Sequence, residues 1–326
     1  MAMSTTFAAE QAVNRRNSIL LVIAVMGFLA ALGFAIGFGT SGRVAGGFLV
    51  TAGAIVLATL LSVGSYFGGD QLVLATSGAK EVDHNSAPQL INVVQEMALA
   101  AGVPMPKVYI IDDTAPNAFA TGRDPQHASV AITTGLLQKL DREELQGVLG
   151  HEMSHVRNYD IRFSLLVAVL VGSIALMADF FLRFTFWGGG RGSGDRDKGG
   201  GGLVVIVYLL AIVLAVLAPI IARLVQLAVS RQREYLADAS SVELTRNPHG
   251  LEQALAKIAG DKEVLEVANR ATQHLYFTNP IKKFEARSNS MFSTHPSIVD
   301  RINRLRRLTG EQPLDAPDQQ ALAGLD

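Results

Sequence analysis

The stretch Asp141-Arg142-Glu143-Glu144-Leu145-Gln146-Gly147-Val148-Leu149-Gly150-His151-Glu152-Met153-Ser154-His155 decides how this chain is read. Asp141 stands three residues before Glu144, the spacing of a capping box that starts a helix. Leu145, Val148 and Leu149 then carry the helical pattern toward His151. Residues four apart on an α-helix lie one above the other, so His151 and His155 present two imidazoles to one point. Glu152 stands beside them, placed to take a proton rather than to bind a metal. With 7 histidines in 326 residues, coincidence explains the H-E-x-x-H pattern poorly. The chain has no cysteine, so a metal here is held by histidine and carboxylate, and a disulfide framework is excluded. Zinc suits such donors, and a catalytic zinc takes three protein ligands and keeps a fourth position open.

The third ligand must come from elsewhere in the chain. Working outward, Ser230-Arg231-Gln232-Arg233-Glu234-Tyr235-Leu236-Ala237-Asp238 reads as helix, with Glu234 and Asp238 four apart on one face. One of them can reach the metal while the other orients a ligand histidine from behind. Spacing leaves open which does which. Upstream, Val108 to Ile111 carries a β-branched strand signal after Pro104 and Pro106, and Ala128 to Thr134 reads as a second strand closed by Gly135. His84, His127, His249 and His274 lack metal spacing.

Composition places this chemistry beside a membrane. Hydrophobic residues make up 49% of the chain and charged residues only 17%, against about 25% charged in ordinary soluble proteins. Disorder is excluded as the main state. The balance of 28 basic against 29 acidic residues gives no footprint for nucleic acid. No charge occurs for 26 positions between Arg16 and Arg43, nor for 26 between Arg43 and Asp70. A spanning helix needs roughly 20 apolar residues, so both runs are long enough. Later runs at 163–187 and 203–229 predict two more spans, the third carrying Asp179 and Arg183 as a self-neutralising pair. Between them, residues 188–202 form a glycine-rich hydrophilic connection. Arg15, Arg16, Arg157, Arg162, Arg231 and Arg233 crowd the span ends on one side, which predicts a cytoplasmic soluble part and cytoplasmic termini.

The order of these features, with HEMSH at 151–155 and REYLADA at 233–239, resembles the HtpX family, membrane-embedded zinc endopeptidases of bacteria. Their relatives include the eukaryotic CAAX prenyl endopeptidase. The resemblance implies a mainly α, multi-pass membrane protein of the bacterial inner membrane. Four transmembrane helices would accompany a zincin-like α+β metallopeptidase domain assembled from two cytoplasmic segments. The expected layout is a tail at 1–17, two spans within 18–67, and a first peptidase segment at 70–161. The third and fourth spans follow at 163–187 and 203–229, on either side of the loop at 188–202. A second peptidase segment at 230–310 and a flexible tail at 311–326 complete it. One Zn2+ per subunit would be held by His151, His155 and Glu234, with Asp238 behind them and Glu152 as general base. By the same resemblance Asn117, in Asn117-Ala118-Phe119-Ala120-Thr121-Gly122, borders the substrate cleft, where an edge strand can pair with an extended backbone. Ser293-Thr294-His295-Pro296 supplies His295 as an oxyanion donor, and Arg301 on the helix after it contacts substrate. The implied substrates are misfolded or damaged membrane proteins, cut at the bilayer as part of stress-linked quality control. A specific processing peptidase of the prenyl endopeptidase type and a non-enzymatic metal-binding membrane protein are the alternatives.

Overall fold

The computed structural model describes residues 7–166, 231–261, 276–277 and 296–323, with a few single positions between them. The expected spans at 163–187 and 203–229 lie almost wholly outside the described residues, and the loop at 188–202 and His295 lie entirely outside them. Two compact units divide the chain. One joins Met1–Arg15, Gly68–Leu165 and Val229–Asp326; the other joins Arg16–Phe67 and Leu166–Ala228. The architecture is mostly helical with one small sheet.

Two long helices open the chain, α1 (Phe7–Ser41) and α2 (Val44–Thr76), of 35 and 33 residues. They form a close hairpin. A Cβ at Gly37 would run into the Gly46 carbonyl, and Phe34 meets Phe48 edge-on at 5.5 Å. Phe48, Leu49, Val56, Leu57 and Leu60 are exposed along α2. Among the described residues, no helix is long and apolar enough to cross a membrane.

In the first unit the sheet runs β1 (Lys80–Glu81), β2 (Lys107–Ile111), β4 (Ala128–Thr133), β3 (Ala118–Gly122). β2 and β4 are parallel, while β1 and β3 are antiparallel edge strands. The strand signals at 108–111 and 128–134 correspond to β2 and β4. Thr133 ends β4 by capping α4 (Thr134–Lys139), its hydroxyl accepting from the Leu136 amide. β4 is buried along its whole length because both faces are covered. Val130 and Ile132 face the main core with helix α3 (Pro88–Ala101), and Ala131 faces Val73, Leu74 and Leu165. β3 was less legible, since Ala-Phe-Ala-Thr-Gly is a weak strand sequence; pairing with β4 from Ala118↔Ile132 to Gly122↔Ala128 holds it in place.

Helix α5 (Arg142–Arg157) crosses the middle of this unit. It starts at the expected capping box, Asp141 accepting from the Glu144 amide and Glu144 from the Asp141 amide. Helices α6 (Arg231–Thr245) and α7 (Pro248–Ala259) pack on α5. The packing is backbone to backbone: a Cβ at Gly147 would lie 2.6 Å from the Leu251 nitrogen. Ser241 of α6 fixes the contact by donating to the Gly147 carbonyl at 2.6 Å. Helix α8 (Ile298–Thr309) buries Ile298, Arg301, Ile302 and Leu305 against the same core. Within 311–326, Ala316–Ala323 is helical (α9). It follows Leu314, which is buried and whose amide donates to Asn303 at 2.8 Å.

The close approach at Gly147 gives the fold a test. Gly→Ala in a helix interior ordinarily stabilises by up to about 1 kcal/mol. At Gly147 the added methyl must push α7 away, so we expect Gly147→Ala to lose about 1–3 kcal/mol and to lower the thermal midpoint. A raised midpoint would mean that α5 and α7 do not touch there.

Candidate metal centre

α5 delivers its two histidines one turn apart into the interior, His151 fully buried and His155 partly so. Their rings meet edge to face at 4.7 Å, with the two Nε2 atoms 3.1 Å apart. α6 brings Glu234 to the same point, its carboxylate oxygens 3.7 Å from His151 Nε2 and 3.6 Å from His155 Nε2. Ligand atoms bound at about 2.0–2.1 Å to a tetrahedral zinc stand about 3.3 Å apart. The three observed separations bracket that value, so the donors fit a zinc ion.

The back of each ring explains why the fronts face each other. His151 Nδ1 donates to Asp238 Oδ1 at 2.9 Å. Asp238 also receives Arg301 side-on, Nη2 to Oδ1 at 2.7 Å and Nε to Oδ2 at 2.9 Å. Arg301 reaches on to the Phe277 carbonyl at 3.1 Å, and the Phe277 ring packs edge-on against His151 at 4.9 Å. His155 Nδ1 faces Asp160 Oδ2 at 3.0 Å. With each Nδ1–H given to a carboxylate, both Nε2 atoms carry lone pairs. At 3.1 Å a metal cation or a single shared proton must lie between those lone pairs.

Charge supports the same conclusion. Burial, helped by Arg301, pulls His151 down to about 4, which keeps that ring neutral. Burial would also lower His155, yet Asp160, Glu234 and Glu152 together raise it to about 9. Burial alone would raise Asp238, but Arg301 and the His151 bond hold it well below the usual carboxylate range. Glu152, Glu234, Asp160 and Asp238 face two buried guanidiniums, Arg301 and Arg233. Carboxyl groups outnumber guanidiniums there, an excess that favours a cation at the centre.

Glu152 sits on the sheet side of the pair. Its Oε2 accepts from the Ala120 amide of β3 at 2.8 Å, and burial pushes its carboxyl up to about 7. A cation beside it would draw that value back down. The contact follows from strand register. Phe119 and Thr121 pair with Ala131 and Ser129 of β4, so the amides of Ala118 and Ala120 point outward at the sheet edge. The Ala118 carbonyl there accepts from the Phe277 amide at 2.8 Å.

Not every sequence-predicted residue arrives where expected. His151, Glu152, His155, Glu234 and Asp238 are brought together. Asn117 lies at the entry of β3, buried, with Oδ1 accepting from the Ala118 amide at 3.0 Å; its side chain shapes the strand start. Arg301, expected to touch substrate, is only 1% exposed and is turned toward Asp238 behind His151. This placement has a physical cause: a buried guanidinium needs a carboxylate, and Asp238 offers both oxygens side-on. His295 lies outside the described residues. Asp160 and the Ala120 amide escaped sequence reading. Asp160 is five residues past His155, a spacing that shares no helix face, and a backbone amide has no sequence signal.

Residues 84–309 match peptidase family M48. The chain is 45% identical over 296 residues to "Protease HtpX homolog" of Streptococcus uberis, covering 90% of this chain and 97% of that one. It is 44% identical over 302 residues to the protein of the same description from Listeria monocytogenes serotype 4a, covering 91% and 98%. A crystal structure of S. mikatae Ste24p aligns with a TM-score of 0.43 and 18% identity, covering 91% of this chain and 67% of that one. The resemblance read from HEMSH and REYLADA is thereby borne out: the chain belongs to peptidase family M48 and is a metallopeptidase.

Proposed function

We propose that the chain is a membrane-anchored zinc endopeptidase that cuts polypeptides at the surface of the bilayer. The observation that carries the reading is the convergence of His151 Nε2, His155 Nε2 and the Glu234 carboxylate beside a carboxylate, Glu152, tied to a sheet edge. Zinc bound there would polarise the scissile carbonyl and make an attacking water acidic near neutral pH.

The chain's own groups do the rest. Glu152 accepts the proton of the attacking water and passes it to the leaving amine. The Ala120 amide holds Glu152 at the edge of β3. An extended substrate can add its backbone along that edge as a further strand once it displaces the Phe277 amide from the Ala118 carbonyl. Asp238 keeps the His151 ring turned with Nε2 forward, and Arg301 keeps Asp238 ionised. His295, by resemblance, donates to the oxyanion.

Membrane anchoring is supported by α1 and α2, whose uncharged runs of 26 positions exceed the roughly 20 residues a span needs. The exposed Phe48, Leu49, Val56, Leu57 and Leu60 along α2 suit lipid better than water. The basic residues beside the spans support a soluble part and termini in the cytoplasm of a bacterial cell, at its inner membrane. Misfolded or damaged membrane proteins are the substrates this placement favours. Relatives called "Protease HtpX homolog" along nearly their full length support the same reading.

Two experiments test the assignment. In detergent with added zinc, the wild type should cleave an unfolded protein, while Glu152→Gln keeps its zinc and falls by at least about 100-fold, the scale of general-base catalysis. Equal turnover would remove Glu152 from the chemistry. In metal analysis after dialysis, Glu234→Ala should lose zinc, whereas Asp238→Ala should weaken its binding by about 10–100-fold. The reverse order would exchange their roles.

A further inference from the structure

His155 has a partner that no motif announces. α5 ends at Arg157, and a continuing helix would carry residue 160 well away from the face of His155. The chain instead turns at Asn158 and Tyr159, and Tyr159 takes φ 61°, the left-handed region that a non-glycine side chain enters only at a cost. Among the described residues one other non-glycine does so, Arg246. The turn starts a new helix at residue 160 and swings the Asp160 carboxylate back over the end of α5. Its Oδ2 then lies 3.0 Å from His155 Nδ1.

The other oxygen is held as well. Arg233 Nη1 of α6 donates to Asp160 Oδ1 at 3.4 Å, and its guanidinium lies 4.2 Å above the Phe163 ring. Asp160 and Arg233 are both buried, at 6% and 8% exposure. Arg233 directly precedes Glu234, so one turn of α6 secures the orienting carboxylate of one histidine and supplies the donor that faces both. The arrangement repeats the one behind His151, where Asp238 is backed by Arg301.

We infer that Asp160 is a positioning residue of the metal centre: it holds His155 in the Nδ1–H tautomer with Nε2 toward the metal, and Arg233 keeps that carboxylate in place. The inference rests on the metallopeptidase reading above. It gives His155 the same support that Asp238 gives His151, and it assigns a purpose to the strained turn at Tyr159.

The test is zinc affinity, measured on the full chain in detergent by competition with a chromophoric chelator. Asp160→Asn should bind zinc about 10–100-fold more weakly than the wild type. Its cobalt-substituted form should show shifted d–d absorption, because the ring leans and loses basicity while the three ligands remain. Removing only the carboxylate strands a buried arginine and endangers folding, so Asp160→Asn/Arg233→Gln is measured beside it. The double variant should stay folded without metal, as judged by its melting curve, and still bind zinc weakly. Wild-type affinity in either folded variant would overturn the role of Asp160. An affinity loss matched by an equal loss of metal-free stability in the double variant, with an unshifted cobalt spectrum, would also overturn it in favour of a purely structural role. Failure of the wild type to bind zinc any better than His151→Ala would instead overturn the metal-centre reading itself, and this inference with it.

Discussion

Two imidazole Nε2 atoms turned toward each other, 3.1 Å apart in the interior, are the constraint on which the rest of this structure depends. Free rings would rotate apart; with no metal between them, a proton on His155 bridges the pair. They are held because each has its other nitrogen bonded to a buried carboxylate, and each carboxylate is engaged by a buried arginine. Such groups are expensive to bury singly and become tolerable only as a connected set. The set draws on α5, α6, α8 and the turn after α5, so those elements must pack together before any of it is satisfied.

That requirement explains features that would otherwise read as ordinary packing. Gly147 lies four residues before His151 and lets the backbone of α7 rest on α5. The Ser241 hydroxyl ties α6 to the Gly147 carbonyl and so fixes the height at which Glu234 and Asp238 reach the histidines. On the opposite side, β3 is an edge strand whose outward amide at Ala120 engages Glu152. The three converging donors and Glu152 are thus mounted on different elements: two helices for His151, His155 and Glu234, a helix and a sheet edge for Glu152. Rigid elements on both sides hold such geometry better than loops would.

Electrostatics suit the same centre to a cation. Four carboxylates against two guanidiniums leave an excess of negative charge in a region from which water is largely excluded. The upward shift of His155, despite its burial, measures that excess. A divalent cation would offset it, with both Nε2 atoms turned toward the same ion.

The sequence by itself determined the elements and the chemistry that are local. The capping box at Asp141, the fourfold spacing of His151 and His155, and the pair Glu234 and Asp238 are periodic along one helix, so they are legible wherever that helix lies. Strands β2 and β4 announced themselves through β-branched residues between proline and glycine. The three-dimensional fold is what sets which carboxylate of α6 faces the two Nε2 atoms and which stands behind His151, since both share one face. It also decided that Arg301 turns to Asp238, that Ala120 presents an amide to Glu152, and that Asp160 returns to His155 through a left-handed turn at Tyr159. These contacts join residues from different elements or across a chain reversal. No periodicity encodes them, and they exist only once burial forces every polar group in the interior to find a partner.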